Sequence, residues 1–276
     1  MKTTCIVATA FAIPLIICIV IAQNTRASAG YTSNGDIDII AHRGGAGEGI
    51  ENSLSCIVKS IAAGADIIEI DIRLTKDDEI VVCHDSDIKR TTNGKGKIEE
   101  MTLGEVQSAL LLARDGTSTD ERIPTLGEVL DIATGRCRLL IEVKPCKRYE
   151  RLSQLLVRTI EERDAAEWVA VQSFSDNALF ALKAMNAPFP IEKLIVLKIP
   201  LLPIIIDNGI STFNYRKYDF VSSFNINYKG VQPSFIDDAH SQGKEVKIWT
   251  AKRPADTPAL DADGIITDYP TAWRSK

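Results

Sequence analysis

From Asp36 almost to the C-terminus, short strand-like apolar runs alternate with segments patterned as helices, and this alternation constrains the fold more than any other feature of the 276-residue sequence. A chain of that kind forms an α/β fold around a parallel sheet. The strand-like runs are Ile37–Ala41, Asp66–Ile72, Ile80–Cys83, Arg138–Val143, Trp168–Gln172, Lys193–Leu197, Asp219–Ser222, Glu245–Trp249 and Gly264–Thr267. Only about seven residues separate Ile72 from Ile80, whereas a parallel crossover needs about a dozen. Lys76, Asp77 and Asp78 read as a tight turn, so Leu74–Cys83 is expected to be a hairpin excursion from the second strand. Eight strands remain, the number that closes a TIM-type (β/α)8 barrel, with chemistry expected at the C-terminal strand ends.

Helices are expected at Asn52–Ala63, Thr125–Ala133, Tyr149–Arg163, Asp176–Met185 and Pro233–Gln242, with a shorter one around Leu103–Ala113. Thr125 before Glu128 and Ser175 before Asp176 are helix-entry signals. Asn93, Gly94 and Gly96 mark 85–124 as a surface excursion within a single barrel domain spanning 36–276.

Residues 1–29 read as a targeting segment. Lys2 precedes an uncharged run from Cys5 to Ala22, and the small-residue triplet Ala27-Ser28-Ala29 follows. This pattern predicts either a cleaved secretory signal or, given the length of the run, an uncleaved membrane anchor, with the domain exported in both cases. Membrane contact through this segment follows from the second alternative. The formal charge is −5, and because residues 1–29 carry Lys2 and Arg26 but no acid, the remainder carries −7. An acidic chain of this kind argues against a nucleic-acid partner. Cys56, Cys83, Cys137 and Cys146 lack close-paired zinc spacing and read as small buried residues, although an even count permits disulfides.

The most informative anomaly is Asp66-Ile-Ile-Glu69-Ile-Asp71-Ile, a strand that is otherwise apolar on both faces. Glu69 and Asp71 are two apart and share a face. Buried carboxylates need a partner or a metal, and two of them about 5 Å apart at an effective dielectric near 20 repel by about 3 kcal/mol. Leu139-Leu-Ile-Glu142-Val-Lys144 repeats the design. Three carboxylates at two strand ends make an all-oxygen site suited to one hard divalent cation, Ca²⁺ or Mg²⁺. The bland alternative is a plain ion pair of Lys144 with Glu69 or Asp71. His42, with Arg43, follows the first strand, and His84, with Asp85, follows the hairpin; these two histidines suit acid and base roles near neutral pH. His240, on an expected helix, reads as structural.

His42-Arg43-Gly44, Glu51-Asn52, Gly64-Ala65-Asp66, Glu69-x-Asp71, Leu74-Thr75-Lys76-Asp77 and Val81-Val82-Cys83-His84-Asp85 together resemble the signature of the glycerophosphodiester phosphodiesterase family. The resemblance continues through Arg90-Thr-Thr-Asn-Gly94, Ile123-Pro-Thr-Leu126, Glu142-Val-Lys144, Gln172-Ser-Phe174, Trp249-Thr250 and Gly264-Ile-Ile-Thr-Asp-Tyr-Pro270, and covers residues 38–270. It implies that Glu69, Asp71 and Glu142 bind one divalent cation, that His42 and His84 are the acid and base, and that Arg43 and Lys144 contact the substrate phosphate. Trp249 would wall the pocket. The implied reaction converts a small glycerophosphodiester to sn-glycerol 3-phosphate and an alcohol; related enzymes instead form a cyclic phosphate or act on lysophospholipids. A surface-anchored binding protein without turnover is the alternative of another class. Two departures stand out: Ile50 where the family usually has proline, and Ala251-Lys252 where it often has Val-Asn.

Overall fold

The structure is a computed structural model that describes residues 37–199, 202, 204–207, 209–256 and 260–274. The expected leader, 1–29, lies outside the described residues, and among the described residues no helix is long and apolar enough to cross a membrane.

The described residues form a closed barrel of eight parallel strands: β1 (Asp38–Ala41), β2 (Ile67–Leu74), β4 (Arg138–Val143), β5 (Val169–Ser173), β6 (Ile191–Ile195), β10 (Ser223–Asn227), β11 (Glu245–Trp249) and β12 (Gly264–Thr267). β1 closes the ring by pairing with β12 at Ile40↔Ile266 and with β2 at Ile40↔Ile67. The excursion after β2 is the expected hairpin: β3 (Ile80–Val82) runs antiparallel, with Ile72 opposite Val82.

The two faces of each strand have different work. Outward residues such as Ile68, Ile70, Leu139, Ile141, Val169 and Val171 are fully buried in the main core between sheet and helices. Ile40, Ile67, Leu140, Ala170 and Ile266 form a smaller apolar cluster, capped by Trp249. Because β2 alternates, the residues that share a face with Ile67 are Glu69 and Asp71, both buried. Fold logic thus delivers two acids to one end of the barrel.

The helices are α1 (Leu54–Ala62), α2 (Leu103–Gln107), α3 (Leu126–Ala133), α4 (Tyr149–Glu161), α5 (Asp176–Ala184), α6 (Pro233–Ser241) and α7 (Thr271–Arg274). Thr125 and Glu128 form a full capping box at the start of α3, as their spacing implies, and Thr102 with Glu105 does the same for α2. Ser175 occupies the cap position of α5 but makes no side-chain cap bond. α2 ends at Gln107, six residues short of the expected Ala113, because Leu110 and Leu111 turn back to bond Asn93 and Glu121.

Two strands are displaced from their expected places. The fifth barrel strand is Ile191–Ile195 rather than Lys193–Leu197, and the sixth is Ser223–Asn227 rather than Asp219–Ser222. Each contains buried polar side chains, Glu192, Lys193 and Asn225 among them, whose partners lie on other elements, so local hydrophobicity misplaces the strand. Between them the described residues hold no α-helix, only a 3-10 turn at Tyr215–Tyr218. A small antiparallel sheet stands there instead: β7 (Leu197–Lys198), β8 (Ile204–Ile206) and β9 (Ile210–Thr212). Cys56, Cys83, Cys137 and Cys146 are all free. His240 is tied to Asp263 at 2.9 Å, on α6.

Candidate active site

The C-terminal ends of the strands surround a cavity of about 140 Å³ lined by His42, Arg43, Glu69, His84, Glu142, Lys144, Gln172, Phe174, Leu194, Trp249, Thr250 and Ile266. One half is charged and the other apolar. Asp71 is fully buried and lies within reach of the same centre: oxygens of Glu69, Asp71 and Glu142 all lie within 4.8 Å of one another.

The loop after β1 supplies the charged wall. Arg43 has φ 51°, in the left-handed region that non-glycine residues seldom adopt, and it is followed by Gly44 and Gly45 at φ 76° and 98°. This turn aims the Arg43 backbone N–H at Glu69, where it donates to Oε2 at 2.8 Å. The Arg43 guanidinium lies between two acids, 3.5 Å from Asp71 and 3.2 Å from Glu51. Asn52, also at positive φ, clamps Asp71 from both sides: its amide donates to Oδ2 at 2.9 Å and its carbonyl accepts from the Asp71 backbone at 3.2 Å. Lys144 donates to Glu142 at 2.6 Å and stands 3.2 Å from Asp71 Oδ1, which is buried and makes no hydrogen bond.

Each pocket histidine is held by a carboxylate at its Nδ1. His42 Nδ1 is 2.6 Å from Asp268 Oδ1, and His84 Nδ1 is 2.7 Å from Asp85 Oδ1. Asp85 is itself held by Arg90, which grips Glu51 with two bonds of 2.7 Å. Burial drives the proton affinity of His42 down, but the Asp268 hydrogen bond and the nearby Glu69 outweigh it and the net shift is upward. For His84 burial wins, with Lys144 and Arg43 adding to it against the pull of Asp71, and the net shift is downward. Two imidazoles in one cavity are thereby pushed apart in acidity.

The acids fit a divalent cation. Burial, then the repulsion of Asp71, pushes Glu69 up to about 8 from 4.5. Burial likewise raises Glu142, against the attraction of Lys144. Asp71 is also penalised by burial, yet Lys144 and Arg43 hold it below the usual carboxylate range. Two cationic side chains therefore leave three carboxylates short of positive charge, and the unbonded Asp71 oxygen faces that shortage. An all-oxygen set of three carboxylates with this deficit suits Mg²⁺ or Ca²⁺. Among the described residues it is the group that could share one ion.

On the apolar half Trp249 donates its indole N–H to the Asn225 carbonyl at 2.9 Å and meets Phe174 edge-on at 5.6 Å. Ile50 packs beside a small cluster under the 85–124 excursion, and Ala251 is buried. Sequence reasoning gave no role to Asp268, Asp85, Asn52, Glu51, Arg90 or Gln172. Asp85 and Asp268 had a readable signal: each is an acid just beyond a strand end, beside a residue already singled out or within a quoted motif.

The model of the glycerophosphoryl diester phosphodiesterase family matches residues 42–272. A glycerophosphodiester phosphodiesterase of Caldanaerobacter subterraneus is 32% identical over 240 residues, covering 84% of this chain and 94% of that protein. A human lysophospholipase D is 27% identical over 269 residues, covering 85% of this chain and 84% of its own length. Among solved structures, a phosphodiesterase of Oleispira antarctica in complex with the product sn-glycerol-3-phosphate superposes with a TM-score of 0.74 at 23% identity, covering 86% of this chain and 97% of that one. A family match across nearly the whole barrel, over a site built from that family's motifs, identifies the chain as a member of the glycerophosphodiester phosphodiesterase family.

Proposed function

We propose that this enzyme hydrolyses glycerophosphodiesters to sn-glycerol 3-phosphate and an alcohol, using one divalent cation, Mg²⁺ or Ca²⁺, held by Glu69, Asp71 and Glu142. The observation that carries the reading is the pairing of two carboxylate-held imidazoles, His42 and His84, with a buried triad of acids around one cavity. The product bound to the Oleispira enzyme supports glycerol 3-phosphate as the product here.

A cation in this site would polarise the phosphoryl group and offset the charge that builds on it. Lys144 and Arg43, on the same wall of the cavity, add positive charge beside the phosphate. His84, whose proton affinity is lowered, takes the proton of the attacking hydroxyl, and His42, whose affinity is raised, gives its proton to the departing alcohol. Asp85 and Asp268 fix the ring orientations, leaving Nε2 of each imidazole for the substrate. Among the described residues Thr250 is the one hydroxyl or thiol lining the cavity, and no hydrogen bond sets a base on it, so the attacking group is the substrate's own neighbouring hydroxyl or water. In the first case a cyclic phosphate forms, the two histidines exchange roles, and water opens the ring. Residues 1–29 support export of the domain, by a cleaved signal or as a membrane-anchored form.

Phosphorus NMR of the purified protein with glycerophosphocholine and Mg²⁺ or Ca²⁺ tests this reading. Accumulation of a monoester is expected, whereas an unchanged diester resonance overturns it. The apolar wall of Phe174, Leu194 and Trp249, together with the human lysophospholipase D relative, favours a second reading in which a lysophospholipid is the substrate. The same experiment with a lysophospholipid decides between the two, and a terminal cyclic phosphate would mark a lyase.

A further inference from the structure

A polar column runs down the inside of the barrel from the site, and its hydrogen bonds have a fixed direction. Gln172 donates its amide to Glu69 Oε1 at 3.2 Å. Asn225 donates to Gln172 Oε1 at 2.8 Å and to Glu192 Oε2 at 2.7 Å, and its own carbonyl accepts from the Ser223 hydroxyl at 2.8 Å. Lys247 donates to Glu192 Oε1 at 2.6 Å and to Glu245 at 3.1 Å. Gln172, Glu192, Asn225 and Lys247 are all buried, Glu192 and Asn225 fully.

A column of this kind is costly unless each member is satisfied, and an ion pair buried in a barrel contributes little net stability over apolar residues of the same size. Its distinctive property is orientation. Both Glu192 oxygens are acceptors, Oε1 for Lys247 and Oε2 for Asn225, so the Asn225 amide rather than its carbonyl must face it. That places the Asn225 donor on the Gln172 carbonyl and leaves the Gln172 amide to face Glu69. A reversed Gln172 would set its oxygen against the Glu69 carboxylate and its amide against that of Asn225. We propose that Asn225 and the Glu192–Lys247 pair are positioning residues that fix the Gln172 amide, and through it Glu69, for cation binding. The proposal rests on the reading of Glu69 as a cation ligand given above. With Arg43 N–H on one Glu69 oxygen and Gln172 on the other, the carboxylate has little freedom to rotate away from Asp71 and Glu142.

Calorimetric titration of the full-length protein with Mg²⁺ and with Ca²⁺, alongside thermal melting, tests it. Three variants are compared: Gln172→Met, Asn225→Leu, and the double variant Glu192→Gln with Lys247→Met, which removes both charges of the distant pair while the partly exposed Glu245 loses its Lys247 contact. Each is expected to weaken cation affinity by roughly ten-fold or more, the usual scale for groups that orient a ligand. Affinities within two-fold of the parent in all folded variants would overturn the proposal. As a check independent of variant folding, cation titration of the unsubstituted protein should shift the side-chain amide resonances of both Gln172 and Asn225, and a shift at Gln172 alone contradicts a relay reaching Asn225. If the parent binds neither cation, it is the ligand reading of Glu69 that fails; normal binding by the parent and equal binding by the variants removes the relay alone.

Discussion

His42 and Asp268 stand 2.6 Å apart, nitrogen to oxygen, although 226 residues separate them in the chain. Asp268 follows the last strand of the barrel and His42 the first, and the closure of β12 onto β1 makes them neighbours. Gly47 completes the arrangement: its N–H donates to the Asp268 carbonyl at 2.7 Å, and a Cβ there would meet that oxygen at 2.5 Å. Asp268→Asn should therefore leave the fold intact but lower kcat by roughly 10²–10⁴, the range of an acid–base group that has lost its orienting carboxylate. Because Asp268 raises the proton affinity of His42, the pH-rate limb belonging to His42 should also move to lower pH. Steady-state kinetics across pH read both, and an unmoved limb at unchanged kcat contradicts the pairing's role.

Lys144 lies between Glu142 and Asp71 and is the nearest cation to both. Lys144→Met leaves two buried carboxylates without it and should destabilise the metal-free protein by roughly 3–5 kcal/mol. A saturating divalent cation should recover part of that loss while activity stays low, since the phosphate loses its basic partner. Chemical denaturation with and without Mg²⁺ measures the recovery, and a variant as stable as the parent without metal shows that Lys144 does not neutralise these acids.

Glu69 binds its proton more tightly in the folded protein, at about 8, than in the unfolded chain, near 4.5. A group raised in this way gives a stabilising contribution that is full below the unfolded value and lost as pH rises through the folded one. His42 shifts up and His84 down from 6.5, so their contributions have opposite signs; Glu142, raised by burial, acts in the same sense as Glu69, and Asp71, held low, stays ionised. The Tm of metal-free protein should thus fall from about pH 5 to about pH 8 and level off above it, and the fall should shrink when a cation holds Glu69 ionised. Calorimetric scans at several pH values check this; a Tm that rises between about pH 5 and pH 8 contradicts it.

What the sequence made legible was local. An acid dropped into an apolar strand stands out in a window of seven residues, which is how Glu69, Asp71 and Glu142 declare themselves. A histidine at a strand end is equally visible, and so is the tight turn that makes β3 antiparallel. The supports of the site were not legible because they are long-range. Asn52 reaches Asp71 across 19 residues, Arg90 reaches Glu51 across 39, and Asn225 reaches Gln172 across 53. The strand Ser223–Asn227 escapes local reading for the same reason, since the amide of Asn225 is satisfied only by Gln172 and Glu192 on other strands. The β7–β9 sheet replaces a helix with a run of isoleucines that carries no helical period.

The most direct measurement takes the parent, His42→Ala and His84→Ala, and follows glycerophosphocholine turnover by phosphorus NMR with cation and after chelation, with cation affinity measured on the same three proteins. The parent should turn over only when loaded, and each histidine variant should bind the cation normally yet lose roughly 10²–10⁴ or more in rate. Full activity after chelation, or a histidine variant that turns over at the parent rate, would contradict a two-histidine, cation-dependent phosphodiesterase.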